Sequence, residues 1–156
     1  MKYLSRILWL VALALAGTNC LSFKVTIPDD PFYRLEYAVI LRQVDRNSDF
    51  SKPIANDEIS TKDKTAFALI KVCGIDRPLK AQWFWYDPTG KLTKRSKSVD
   101  INVKNKYLEY FVAWDSLAAA QFADHEGQWT VIVRSDNLIL AKIQFVIKGE
   151  SSLSAE

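Results

Sequence analysis

Trp129-Thr130-Val131-Ile132-Val133-Arg134-Ser135-Asp136-Asn137-Leu138-Ile139-Leu140-Ala141-Lys142-Ile143-Gln144-Phe145-Val146-Ile147 is the stretch whose reading decides the fold. Trp129, Val131 and Val133 recur at period two, with Thr130 and Arg134 on the opposite face. After the turn residues Ser135-Asp136-Asn137, the face Ile139, Ala141, Ile143, Phe145 and Ile147 is continuously apolar, and Lys142, Gln144 and Lys148 lie opposite. Such alternation predicts a β-hairpin that packs one face on a core and turns the other to water.

The same pattern extends upstream. Leu35, Tyr37, Val39 and Leu41 alternate with Arg34, Glu36 and Arg42. A strand over 66–73 is ended by Gly74, Asp76 and Pro78. The aromatic run Trp83-Phe84-Trp85-Tyr86 stops at Asp87-Pro88-Thr89-Gly90, where proline presets φ and glycine accepts a positive one. Further extended segments follow over 92–103 and 107–114. Residues 45–62 form a long polar loop with a short edge strand near 58–60. One stretch predicts a helix: Leu117 to Ala123 is Ala-rich, with Asp115 or Ser116 as cap and Gly127 just beyond. Short strands at these intervals predict an antiparallel β-sandwich, with a closed barrel as the alternative.

Gly127-x-Trp129-Thr130-Val131 with Phe145-Val146-Ile147, and Trp83-Phe84-Trp85-Tyr86-Asp87-Pro88-x-Gly90, resemble Ig/fibronectin-III-like domains of bacterial envelope proteins. The resemblance covers residues 65–148 and implies an architecture rather than an activity. The fold class is therefore all-β: an antiparallel Ig-like β-sandwich of about seven strands with one short crossover helix, behind an N-terminal signal segment.

That segment begins with Lys2 and Arg6, runs through apolar Ile7 to Ala16, and exits at Gly17-Thr18-Asn19-Cys20. A charged start, a short apolar core and small exit residues read as an export signal. The run is shorter than the roughly 20 apolar residues needed to span a bilayer. Ala14-Leu15-Ala16 fits cleavage after Ala16, which would release a soluble periplasmic or secreted domain. Alternatively the segment resembles a lipoprotein signal of the loose, spirochaete type, with Gly17 and Asn19 where the usual box has Leu and Gly or Ala. This resemblance implies acylation of Cys20, and Leu21 after it does not favour inner-membrane retention, so an outer-membrane anchor is expected. The division is a signal peptide over 1–19, anchor and linker over 20–32, the sandwich over 33–148 and a flexible tail over 149–156.

About 137 residues remain after the signal, enough for one ordinary core. The chain is 49% hydrophobic, 12% aromatic and 25% charged, which is globular. Its net charge of +3 falls to roughly +1 without Lys2 and Arg6, so capture of nucleic acid is not indicated. If Cys20 is acylated, Cys73 is left as a small hydrophobe among Ile70, Val72 and Ile75, and no disulfide is needed.

Catalytic chemistry finds little to work with. His125 is the single histidine, and Asp115 and Ser116 near it lack a nucleophile elbow. One histidine and one available cysteine do not make a zinc site. Asp29-Asp30, Asp57-Glu58 and Asp124/Glu126 lack calcium-loop spacing. Five glycines form no phosphate loop, and no cofactor is implied.

Two candidate binding surfaces remain. In the aromatic strand Trp83 and Trp85 point one way while Phe84 and Tyr86 point the other, so one pair fills the core and the other is covered or exposed. An exposed Trp83–Trp85 pair would mark an interaction site. Tyr107, Tyr110 and Trp114 lean towards the core. The basic segment Lys91, Lys94, Arg95 and Lys97 reads as a lysine-protected edge strand or as a patch for an anionic partner. The expectation is a non-enzymatic, lipid-anchored cell-envelope protein that meets the membrane through acyl chains and presents its sandwich to a protein or surface ligand. A soluble, chaperone-like accessory domain offering a strand edge is the alternative.

Overall fold

The computed structural model describes residues 33–44, 50, 53–56, 58–75, 77–101 and 110–149. The predicted signal peptide, Cys20, the linker to residue 32, Tyr107 and the tail beyond Gly149 lie outside the described residues.

The strands are β1 (Arg34–Leu41), β2 (Glu58–Ser60), β3 (Thr65–Cys73), β4 (Leu79–Tyr86), β5 (Leu92–Arg95), β6 (Val99–Ile101), β7 (Phe111–Ala118), β8 (Gly127–Ser135) and β9 (Leu138–Lys148). They form two sheets, one ordered β1-β3-β7 and the other β2-β9-β8-β4-β5, with β6 also on β4. All pairings are antiparallel except β2 with β9. The chain changes sheet at β1–β2, β2–β3, β3–β4, β6–β7 and β7–β8, which gives the two-layer arrangement of an Ig-like sandwich. The strands exceed the expected seven because β2 is the short edge strand and residues 92–101 give two strands. Ser96 makes that break. Its N–H donates to the Trp83 carbonyl at 2.9 Å, while its side-chain Oγ accepts the Trp83 N–H at 2.9 Å. The side chain thus stands in for a ladder partner, and β5 and β6 lie along opposite halves of β4.

The core lies between the sheets. Trp83, Trp85, Trp129, Phe122, Leu117, Ile143 and Phe145 are buried there with the small and branched residues of β1 and β3. Phe145 meets Trp85 edge-on at 6.2 Å and Trp129 at 6.4 Å, so one phenylalanine joins two indoles. The Trp129 Nε1–H donates to the His125 carbonyl at 2.8 Å, four residues upstream. That bond ties the start of β8 to the crossing segment, where Ig-like sandwiches place a tyrosine corner. Gly127, at φ 123°, opens β8 beside Pro88; a Cβ there would meet the proline ring at 3.1 Å.

Several expectations need correction. The helix shrinks to a 3-10 turn over Ala119–Gln121. Asp115 to Ala118 instead pair with β3, because Leu117 is an inward-facing residue of a strand whose register extends to Thr65↔Ala118. Ile139 is 40% exposed rather than on the core face. A bulge lets Val133 face Ala141 while Arg134 faces Ile139, so Leu140 and Ala141 are both buried. Tyr110 and Trp114 are exposed; Trp114 stacks on Phe50 at 5.9 Å. Cys73 is half-exposed on the outer face of β3 and accepts a hydrogen bond from Arg34 Nε at 3.2 Å.

The β4–β5 turn forms as its sequence requires. Gly90, at φ 83°, donates to the Asp87 carbonyl at 2.9 Å. Asp87 Oδ1 accepts from the Thr89 hydroxyl at 2.6 Å and from the N–H groups of Thr89 and Lys91 at 2.9 and 3.0 Å. These bonds, the Thr89 hydroxyl first, hold the carboxyl pKa below the usual aspartate value. A lowered folded-state pKa gives stability that is present above the unfolded value and lost as pH falls through the folded one. Asp87→Asn should therefore lower the neutral-pH Tm and flatten its decline in acid. Thermal unfolding from about pH 7 to about pH 2 checks this; identical acid slopes in parent and variant would remove Asp87 from the account.

Candidate binding face

Strand β4 places its odd-numbered residues on the core and its even-numbered ones on the outer face of the larger sheet. Trp83 pairs with Val133 and Trp85 with Val131, so both indoles enter the apolar layer and are 0% exposed. The expectation of an exposed Trp83–Trp85 surface is corrected accordingly. The half-buried outward pair is Phe84 and Tyr86.

Phe84 is the centre of a cationic cluster. Arg95 on β5 is its cross-strand partner, and Arg134 on β8 pairs with Gln82 two residues earlier. The guanidinium carbons lie 5.3 Å (Arg95) and 5.5 Å (Arg134) from the Phe84 ring centroid. Arg95 Nη2 also donates to Gln82 Oε1 at 3.0 Å, and Gln82 Nε2 donates to the Ser96 carbonyl at 2.7 Å. The Arg134 side chain makes no hydrogen bond or ion pair among the described residues, and its Nε is sheltered from solvent without an acceptor. An unmet buried donor costs about 1–3 kcal/mol. A cation–ring contact returns about 0.5–2 kcal/mol. Phe84 thus offsets part of the cost of holding Arg134 unpaired.

The cluster lines a recess of about 200 Å³ formed by Lys80, Gln82, Phe84, Arg95, Ser98, Arg134 and Asp136. A second recess of about 380 Å³, lined by Arg77, Pro78, Leu79 and Ser135–Leu138, shares Asp136 with it. Three cations and one carboxylate face the first recess. Chemically it suits an oxyanion, because guanidinium forks present paired donors to planar acids.

The basic segment divides. Lys91 is exposed at the turn, and Lys97 is exposed just past Ser96. Lys94 turns inward: Nζ reaches Asp115 at 2.9 and 3.0 Å and also donates to the Ser116 carbonyl. Asp115 accepts the Trp85 indole N–H at 2.8 Å as well. Lys94 is therefore a strut between the sheets. Of the six sequence candidates, Arg95 alone reaches the recess. Lys80, Gln82, Arg134 and Asp136 were missed; the available signal was Arg134, a cation on the polar face of the hairpin.

Asp115 and Ser116 alternate on opposite faces of β7, while His125 lies edge-on to Trp129 at 6.4 Å, so the three form no triad. Among the described residues no three His, Cys, Asp or Glu side chains gather as a metal site. On the smaller sheet, Lys71 is 7% exposed, pairs with Glu36 at 2.8 Å and lies 3.8 Å from the Tyr110 ring centroid. Hydrogen bonding between them lowers the Glu36 pKa and raises that of Lys71. That cation is satisfied where Arg134 is not.

Lys94→Met would leave Asp115 half-neutralised against the core and should cost about 1–3 kcal/mol. Arg134→Met removes an unpaired charge and should leave stability unchanged or raise it. Chemical denaturation of both variants checks the contrast; equal destabilisation would make Arg134 a structural cation.

No protein-family model matches the chain, and no curated protein matches it either. Among solved structures, an immunoglobulin-like protein from Pseudomonas aeruginosa is similar at 14% identity and TM-score 0.44, over 80% of this chain and 97% of that one. A mutant β-glucosidase from Listeria innocua, in complex with laminaribiose, is similar at 9% identity and TM-score 0.47, over 81% of this chain. The chain spans 16% of the β-glucosidase's length.

Proposed function

We propose that this chain is a non-enzymatic, lipid-anchored cell-envelope module whose Ig-like sandwich captures a surface ligand on the outer face of its larger sheet. One observation carries the binding role: two guanidinium groups converge on Phe84, and neither has a carboxylate partner among the described residues. The segment from Lys2 to Cys20 supplies the address. An acylated Cys20 would tether the domain through residues 21–32, with Pro28 and Pro31 limiting regular structure in the connection. One acyl chain anchors marginally and several hold firmly.

The soluble, edge-offering alternative draws on β7, an eight-residue strand with β3 as its partner among the described residues. Lys94 occupies its Ser116 carbonyl, which opposes pairing by an added strand. The anchored reading is therefore preferred.

Intact mass of the mature protein tests the anchor. An N-terminal, acylated Cys20 is expected, and Cys20→Ser should move the protein from the membrane to the soluble fraction. An unmodified chain beginning at Gly17, or unchanged fractionation of the variant, would overturn the lipid tether.

A further inference from the structure

We propose that the Phe84 recess binds an acidic polysaccharide, seating a sugar carboxylate between Arg95 and Arg134. The inference rests on the binding-module reading and names its ligand class. The Arg134 side chain makes no hydrogen bond or ion pair among the described residues, and the Arg95 side chain has the amide oxygen of Gln82 as its acceptor. Both forks lie within 5.5 Å of one ring centroid, so a carboxylate there would meet planar, paired donors in a partly dehydrated setting. Lys71 shows the alternative outcome in the same molecule, a sheet-face cation already matched by Glu36 at 2.8 Å.

The surroundings favour sugar over peptide. Strand β4, which carries Phe84, is hydrogen-bonded on both sides, by β8 and by β5 and β6, so an extended peptide cannot pair with the strand that forms the floor of the recess. The polar rim from Gln82, Ser98 and Lys80 instead offers hydrogen bonds to hydroxyl groups. A volume of about 200 Å³ is below the roughly 300–1,000 Å³ that encloses a drug-sized ligand, and suits one ring unit. The second recess, beyond Asp136, continues the path and fits a repeating chain. Asp136 repels the carboxylate from that end and so orders it onto the Phe84 side.

The test measures binding of the purified, folded protein to polygalacturonate by titration calorimetry at low and moderate salt. Neutral dextran, polyglutamate and sodium acetate are run in parallel. Saturable, salt-weakened binding of polygalacturonate is expected, with no binding of dextran. Arg95→Met and Arg134→Met should each weaken it by about tenfold or more. Lys142→Met, on the same face outside the recess lining, should change it little. Asp136→Asn should tighten it a few-fold, and asparagine tolerates the φ of 51° at that position. Thermal unfolding confirms that each variant is folded. The proposal fails if the parent does not bind, if the arginine variants bind like the parent, or if polyglutamate binds as tightly. Acetate binding without polymer binding would also overturn it. Cys20→Ser should bind polygalacturonate like the parent, so failure of the anchor and failure of the ligand assignment are read separately.

Discussion

The link from Lys94 through Asp115 to Trp85 is the constraint on which the two layers depend. Asp115 projects from β7 towards an otherwise apolar interior, where an uncompensated carboxylate would be costly. Lys94 supplies the opposite charge and the Trp85 indole supplies a donor, so three strands from two sheets meet at one satisfied acid. The same indole packs edge-on against Phe145. Polar bonding at one end of Trp85 and ring packing at the other fix the inward face of β4. That in turn decides what its outward face can present.

Once Trp83 and Trp85 are committed inward, Phe84 must face out, with Arg95 and Arg134 brought beside it by the ladders on either flank. No single strand carries this cluster. The ring comes from β4, one cation from β5 and the other from the C-terminal hairpin. The recess is a property of sheet order, and it exists because β8 lies between β9 and β4 rather than at an edge.

The fold was legible where one physical signal dominated. Alternation located the C-terminal hairpin, and Asp87-Pro88-Thr89-Gly90 located the turn between β4 and β5, because each encodes local geometry. The 117–123 segment misled because alanine favours a helix only when no ladder competes, and β3 offered one as far as Ala118. Ile139 misled because a bulge changes the phase of a pattern without any residue type that announces it. Lys94 and Arg95 looked equivalent in sequence, yet adjacent strand positions face opposite ways: one braces the interior and the other lines the recess. Arg134 escaped notice because its role depends on cross-strand register, which a single sequence does not print.

The bulge also has a consequence for how the hairpin tip can change. Its extra residue sits on β9, so β8 keeps an unbroken alternation from Trp129 to Ser135 and Arg134 stays in phase with β4. The irregularity is absorbed on the strand that is not hydrogen-bonded to β4. Residues around Asp136 and Asn137 can therefore gain or lose length without altering the spacing of the two guanidinium groups across the ring. The tip, where Asp136 borders the recess, can thus retune the rim while the two arginines below it keep their spacing.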